Sequence, residues 1–114
     1  MGCSIEMPYE EYTAGMMCSC HVHVCNTDAV THTDVPVFVI LDVYGMMFFA
    51  PSFGAFDYYD DPIPPGMSTI QVLPSFQWPA GAGEAHGINF YAAMTNPEMT
   101  DLLGEMDMFT FGWK

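Results

Sequence analysis

His21 and His23 are separated by a single residue in the run Cys18-Ser19-Cys20-His21-Val22-His23-Val24-Cys25. In a strand, alternate side chains leave from one face, so both imidazoles would project together, as ligands of one metal ion must. Cys25 continues that line and His32 follows in the next polar stretch. His21, His23 and His32 are therefore the candidates for a copper, nickel or zinc site. The plainer alternative is that polar residues fill the solvent side of an amphipathic strand. A second set, Asp57, Asp60 and Asp61, offers hard oxygen atoms at short spacing and suits Ca2+, although the spacing is not that of an EF-hand. A solvated acidic loop is the alternative there.

The four cysteines, Cys3, Cys18, Cys20 and Cys25, all lie early in the chain. In a secreted domain an even count favours disulfides. Cys18 and Cys20 are too close along an extended strand to pair with each other, so the expected cross-link joins Cys3 to one of the other three. The spacing C-x-C-x4-C is not the C-x2-C pair of a zinc knuckle, and Cys18-Ser19-Cys20-His21 is one residue short of a c-type haem attachment motif. Phe53, Phe56, Tyr58, Tyr59 and Trp78 are the candidates for an interaction surface, stacking on sugar rings or on another protein. The competing use is packing beneath their own loop. Of the 11 methionines, Met46, Met47, Met106 and Met108 sit inside strand patterns, where Met is a pliable filler of cores and interfaces. Gly-x-Ser-x-Gly, a phosphate loop and H-E-x-x-H are all missing, so the expectation is a non-catalytic protein.

The elements that must position these residues read as strands. Period-two runs bounded by Gly, Pro and Asn cover Ser4–Pro8, Met16–Cys25, Val35–Tyr44, Met46–Ala50, Met67–Leu73, Ile88–Met94 and Glu105–Trp113. In the second, Met16, Cys18, Cys20, Val22 and Val24 share the core face, and Met17, Ser19, His21, His23 and Cys25 share the other. Val35, Val37, Val39, Leu41 and Val43 make an unbroken aliphatic face. Residues 51–66 form a long loop stiffened by Pro62, Pro64 and Pro65. Thr95–Gly104 has the cap residues and Pro97 for one helical turn. About seven strands in one chain of 114 residues predicts an all-β, immunoglobulin-like antiparallel sandwich, a single domain over 1–114.

Charge narrows the partners. There are 14 acidic residues and one basic residue, Lys114, for a net charge of −13. Phosphate binding needs Lys and Arg, so nucleic acid and anionic membrane surfaces are excluded as partners. Carboxylates must instead be solvated, hydrogen-bonded or bound to cations, and self-repulsion is appreciable. No apolar run approaches the roughly 20 residues of a membrane helix. Residues 1–6 lack the basic and apolar regions of a signal peptide, and Gly2 lacks the Ser or Thr of a myristoylation start. The expectation is that export information has been removed or that the chain is a piece of something longer.

Several segments carry a resemblance. Val37-Phe38-Val39-Ile40-Leu41-Asp42-Val43-Tyr44-Gly45, Phe48-Phe49-Ala50-Pro51-Ser52, Phe76-Gln77-Trp78-Pro79, Asn89-Phe90-Tyr91-Ala92-Ala93-Met94 and Phe109-Thr110-Phe111-Gly112-Trp113 together resemble an uncharacterised β-sandwich module found at the C-termini of large secreted bacterial surface proteins. The match runs from Tyr12 and Gly15 to Trp113, and the cysteine-rich second strand and the Met content depart from it. The resemblance implies an extracellular or cell-surface β domain rather than an activity. The function expected is a structural or interaction module that self-associates or docks into a larger assembly or filament. The alternative is a ligand-binding module, for carbohydrate with Ca2+ or for a transition metal.

Overall fold

The computed structural model describes all 114 residues, Met1–Lys114. The chain forms eight strands and no helix: β1 (Gly2–Glu6), β2 (Glu11–Tyr12), β3 (Met17–Asn26), β4 (Val37–Val43), β5 (Met46–Phe49), β6 (Gly66–Gln77), β7 (Ala85–Met94) and β8 (Asp107–Trp113). They make two sheets, a three-stranded one ordered β1-β3-β6 and a five-stranded one ordered β2-β8-β7-β4-β5. All pairings are antiparallel except that of β2 with β8. The expected all-β sandwich is the fold observed. Its extra strand is β2, whose two residues are too few to show a period.

The core lies between the sheets and follows the predicted parities. Cys18, Cys20, Val22 and Val24 of β3 face Val37 and Val39 of β4 and Ile88, Phe90, Ala92 and Met94 of β7, all buried. Transfer of a side chain such as Phe90 out of water contributes about 1.5–3 kcal/mol. Tyr12 is fully buried beside them, stacks on Trp78 at 5.3 Å, and accepts the Tyr9 backbone N–H at its hydroxyl.

Two turns are set by backbone conformation. Tyr44 (φ 52°) and Gly45 (φ 88°) make the two-residue loop between β4 and β5, a geometry whose twist matches the flanking strands. Asp42 Oδ1 accepts the Gly45 N–H at 2.9 Å and secures it. At Gly112 the constraint is space, because a Cβ there would lie 2.5 Å from the Ala85 carbonyl oxygen. The helical turn expected over Thr95–Gly104 does not form. Asn96 Oδ1 instead accepts the N–H groups of Thr100 and Asp101, and Thr95 bridges to Leu102. An Asn side chain satisfying nearby backbone donors competes with the helix for them. The first strand also begins earlier than its pattern implies, because Gly2 and Cys3 pair with Cys25 and Val24.

Candidate functional site

The outer face of the three-stranded sheet collects the histidine pair. Val22 and Val24 point inward, so His21 and His23 point outward, each half-buried between the flanking strands. On one side β1 places Glu6 directly opposite His21 and Ser4 opposite His23. On the other, β6 places Gln71 opposite His21 and Thr69 opposite His23. His23 is held from both sides, with Nδ1 2.9 Å from Thr69 Oγ1 and Nε2 3.2 Å from Glu6 Oε1. His32 is elsewhere. Its backbone bridges to Ile63 and its Nε2 lies 2.7 Å from Asp28 Oδ2. The expected His21, His23 and His32 set is therefore divided, because the turn after Asn26 carries His32 away from the β3 face. In the observed rotamers no three His, Cys, Asp or Glu side chains gather as a metal site. Glu6 was missed by local reasoning, although its parity was legible: Cys3 and Ile5 face the core, so Glu6 faces away.

The acidic loop is dispersed as well. Asp57 turns onto its own loop, accepting the N–H groups of Ser52 and Tyr58, and the Ser52 hydroxyl, followed by these backbone bonds, holds its carboxyl below the usual range. Asp60 lines a surface recess with Asp34 and Pro97, whereas Asp61 lines another with Ser68 and Thr69. The three carboxylates do not converge. Elsewhere the backbone does the neutralising: Asp107 Oδ2 accepts the Ile5 N–H at 2.8 Å, and only Glu11 meets the single lysine, Lys114, at 2.9 Å.

All four thiols are free. The disulfide expected between Cys3 and a later cysteine is not seen, and register separates the partners. Cys3 faces inward opposite Val24, while Cys25 faces outward opposite Gly2. Cys20 is on the inward face but four residues from Val24 along β3, roughly 13 Å at the usual rise. A disulfide needs Cα atoms within about 7 Å. Burial, reinforced by Asp107, raises the Cys3 thiol to about 11, and burial beside Cys18 raises Cys20 to about 12. Both are neutral, packed apolar groups rather than nucleophiles.

The aromatic candidates split three ways. Phe53 and Tyr59 pack against the core beneath the long loop, the structural use. Phe56 and Tyr58 join Phe38 of β4 and Phe49 of β5 in a cluster on the outer face of the five-stranded sheet, with ring centroids 5.5–6.4 Å apart. Phe56 is 62% exposed there. Trp78 lies toward the other end, between Tyr12 and Trp113. It borders an entirely apolar cleft of about 160 Å³ where the sheets part, lined also by Leu41, Val43, Leu73 and Phe76. Its indole Nε1–H is buried without an acceptor.

Above that cleft runs β6, an edge strand of 12 residues, Gly66–Gln77, none of them charged. The other edges are short or covered. β2 has two residues, β5 has four with Gly54 folded back on Phe49, and β1 gives its Ile5 N–H to Asp107. Natural edge strands are usually blunted by charge or by Pro, and β6 carries only Pro74 near its end.

With this arrangement in view, solved structures place the fold. The chain is similar to the CARDB domain of a Pyrococcus furiosus protein, whose crystal structure in complex with di-metal ions aligns with a TM-score of 0.61 at 15% identity, covering 97% of this chain and 89% of that chain. The solution NMR structure of that domain gives the same TM-score, 0.61, and identity, 15%, over 97% of this chain and 91% of that chain. No protein-family model and no curated protein matches the chain. Of what the sequence resemblance implied, the β-sandwich fold is the part observed.

Proposed function

We propose that the domain is a non-catalytic interaction module that associates with a second copy of itself by strand addition along β6, within an extracellular or cell-surface assembly. The observation that carries this reading is the free β6 edge. From Gly66 to Leu73 it presents eight residues without charge or Pro, with Met67, Thr69 and Gln71 exposed. Unpaired N–H and C=O groups along such an edge are a template for another strand. The apolar cleft beneath Leu73 and Phe76 adds surface that a neighbouring copy would cover. The surface location follows the sequence resemblance.

Sedimentation velocity at low and high protein concentration tests the reading. A concentration-dependent dimer or polymer is expected. A strict monomer at high concentration, with and without added Ca2+, overturns it. Ile70 points toward the core side of the edge, so Ile70→Lys introduces the inward charge by which natural edges are blocked, and should abolish association while the fold persists.

A second reading, a metal-binding module, is supported by two observations. The chain carries a net charge of −13 with one basic residue, Lys114, and the similar CARDB domain was solved with di-metal ions. Metal analysis of the purified protein after dialysis against defined ions tests it.

A further inference from the structure

We propose that His21, His23 and Glu6 form a binding site for a borderline divalent transition ion, Zn2+ or Cu2+, on the outer face of the three-stranded sheet; this rests on the metal-binding reading above and names its ligands. Three side chains from two adjacent strands share that face, and in the observed rotamers Glu6 and His23 touch while His21 stands beside them. His21 and His23 leave the same face of β3, about 7 Å apart along the strand. Glu6 stands directly across from His21, a pairing that brings Cβ atoms to about 5 Å. Its carboxylate already reaches His23, with Oε1 3.2 Å from Nε2.

The fourth histidine environment makes the contrast. His23, His32 and His86 each lie against a carboxylate, whereas His21 makes no side-chain hydrogen bond to the protein. It borders the same surface recess as Glu6. Rotation of the His21 ring toward Glu6 therefore breaks no existing bond, and it completes a set of two imidazoles and one carboxylate. Such a set, with a remaining position open to water, is one that zinc and copper accept, and it is too nitrogen-rich for Ca2+.

Thr69 supplies the supporting contact. In the tautomer carrying its proton on Nδ1, His23 donates to Thr69 Oγ1 and leaves the Nε2 lone pair directed at Glu6. Two acceptors then face each other at 3.2 Å, an arrangement that a cation between them stabilises. A partner on the distal ring nitrogen also fixes the orientation of a ligating histidine.

Calorimetric titration of the full chain with Zn2+ tests the site. One equivalent is expected, with affinity reduced at least ~10-fold by His21→Ala or His23→Ala, by a similar factor in Glu6→Gln, and unchanged in His32→Ala and Asp57→Asn. Cu2+ electron paramagnetic resonance should show hyperfine splitting from two equivalent imidazole nitrogens, lost in either histidine variant. All three ligands are at least partly exposed, and circular dichroism checks that each variant folds. If Zn2+ still binds fully in the His21, His23 and Glu6 triple variant, this site is wrong while metal binding stands. If neither ion binds the parent protein, the site falls, and the metal-binding reading falls with it once the dialysed protein also retains no other ion.

Discussion

Cys3 and Cys25 sit one register step apart on neighbouring strands, and that step puts their thiols on opposite faces of the same sheet. Cys3 pairs with Val24 and points into the sandwich, while Cys25 pairs with Gly2 and points out. Cys18 and Cys20 are fully buried on the inward face. Reaction with an alkylating reagent should therefore be graded. Cys25 is modified first under native conditions, Cys3 slowly, and Cys18 and Cys20 only after unfolding. Peptide mass mapping over a time course measures this order, and simultaneous labelling of Cys20 and Cys25 in the folded protein would contradict it.

Asn26 is the only buried polar residue, and it ties three segments together. Its amide donates to the carbonyls of Val30 and Ile63, and its Oδ1 accepts the Asp28 N–H. Asn26→Ala removes one of the two donors to the Ile63 carbonyl, leaving it the His32 N–H, and releases the loop that carries His32. The expected loss is about 2–3 kcal/mol in urea unfolding, from three lost side-chain hydrogen bonds and a cavity. Asp28→Ala, outside the buried set, should cost less than half of that.

Much of the sandwich was legible because its strands obey a two-residue period. Val35, Val37 and Val39 are buried in sequence, as are Cys18, Cys20, Val22 and Val24, so each face could be assigned from parity alone. Even Asn26 carried a signal, a polar residue continuing the inward positions of β3. The relationships that parity does not contain were hidden. Nothing local says that Glu6 faces His21, that Cys3 meets Val24 rather than a cysteine, or that Trp78 stacks on Tyr12, because register between distant segments fixes each of these. The dispersal of the aspartates was hidden for a related reason: closeness in sequence is not convergence in a loop whose backbone turns between Asp57, Asp60 and Asp61.

Alkaline pH should weaken the fold through the buried thiols. Burial raises Cys20 from 9.0 to about 12 and Cys3 from 9.0 to about 11. The folded state therefore keeps these thiols protonated where the unfolded chain would ionise them. Their contribution is complete below pH ~9 and is lost as pH rises toward ~11–12. Burial likewise raises the Tyr12 phenol, so the decline has more than one source. Cys20→Ala should lower Tm slightly at neutral pH yet flatten its fall across the alkaline range. Parallel slopes for the two proteins would remove Cys20 from the account.

Association along β6 should depend on salt in a direction that separates it from a charge-driven contact. Two copies each carrying −13 repel one another, while the edge itself contributes uncharged backbone hydrogen bonds and apolar contacts. Screening falls from a length of roughly 30 Å at ~0.01 M to about 8 Å at ~0.15 M ionic strength, so added NaCl should strengthen the complex. An ion-paired interface with a basic partner would weaken instead. Ile70→Lys sharpens the distinction, because the new cation reduces net repulsion but places a charge at the core side of the edge. If electrostatics dominate, that variant associates better than the parent at low salt; if the β6 edge is the contact, it remains monomeric at every salt concentration, measured by sedimentation equilibrium.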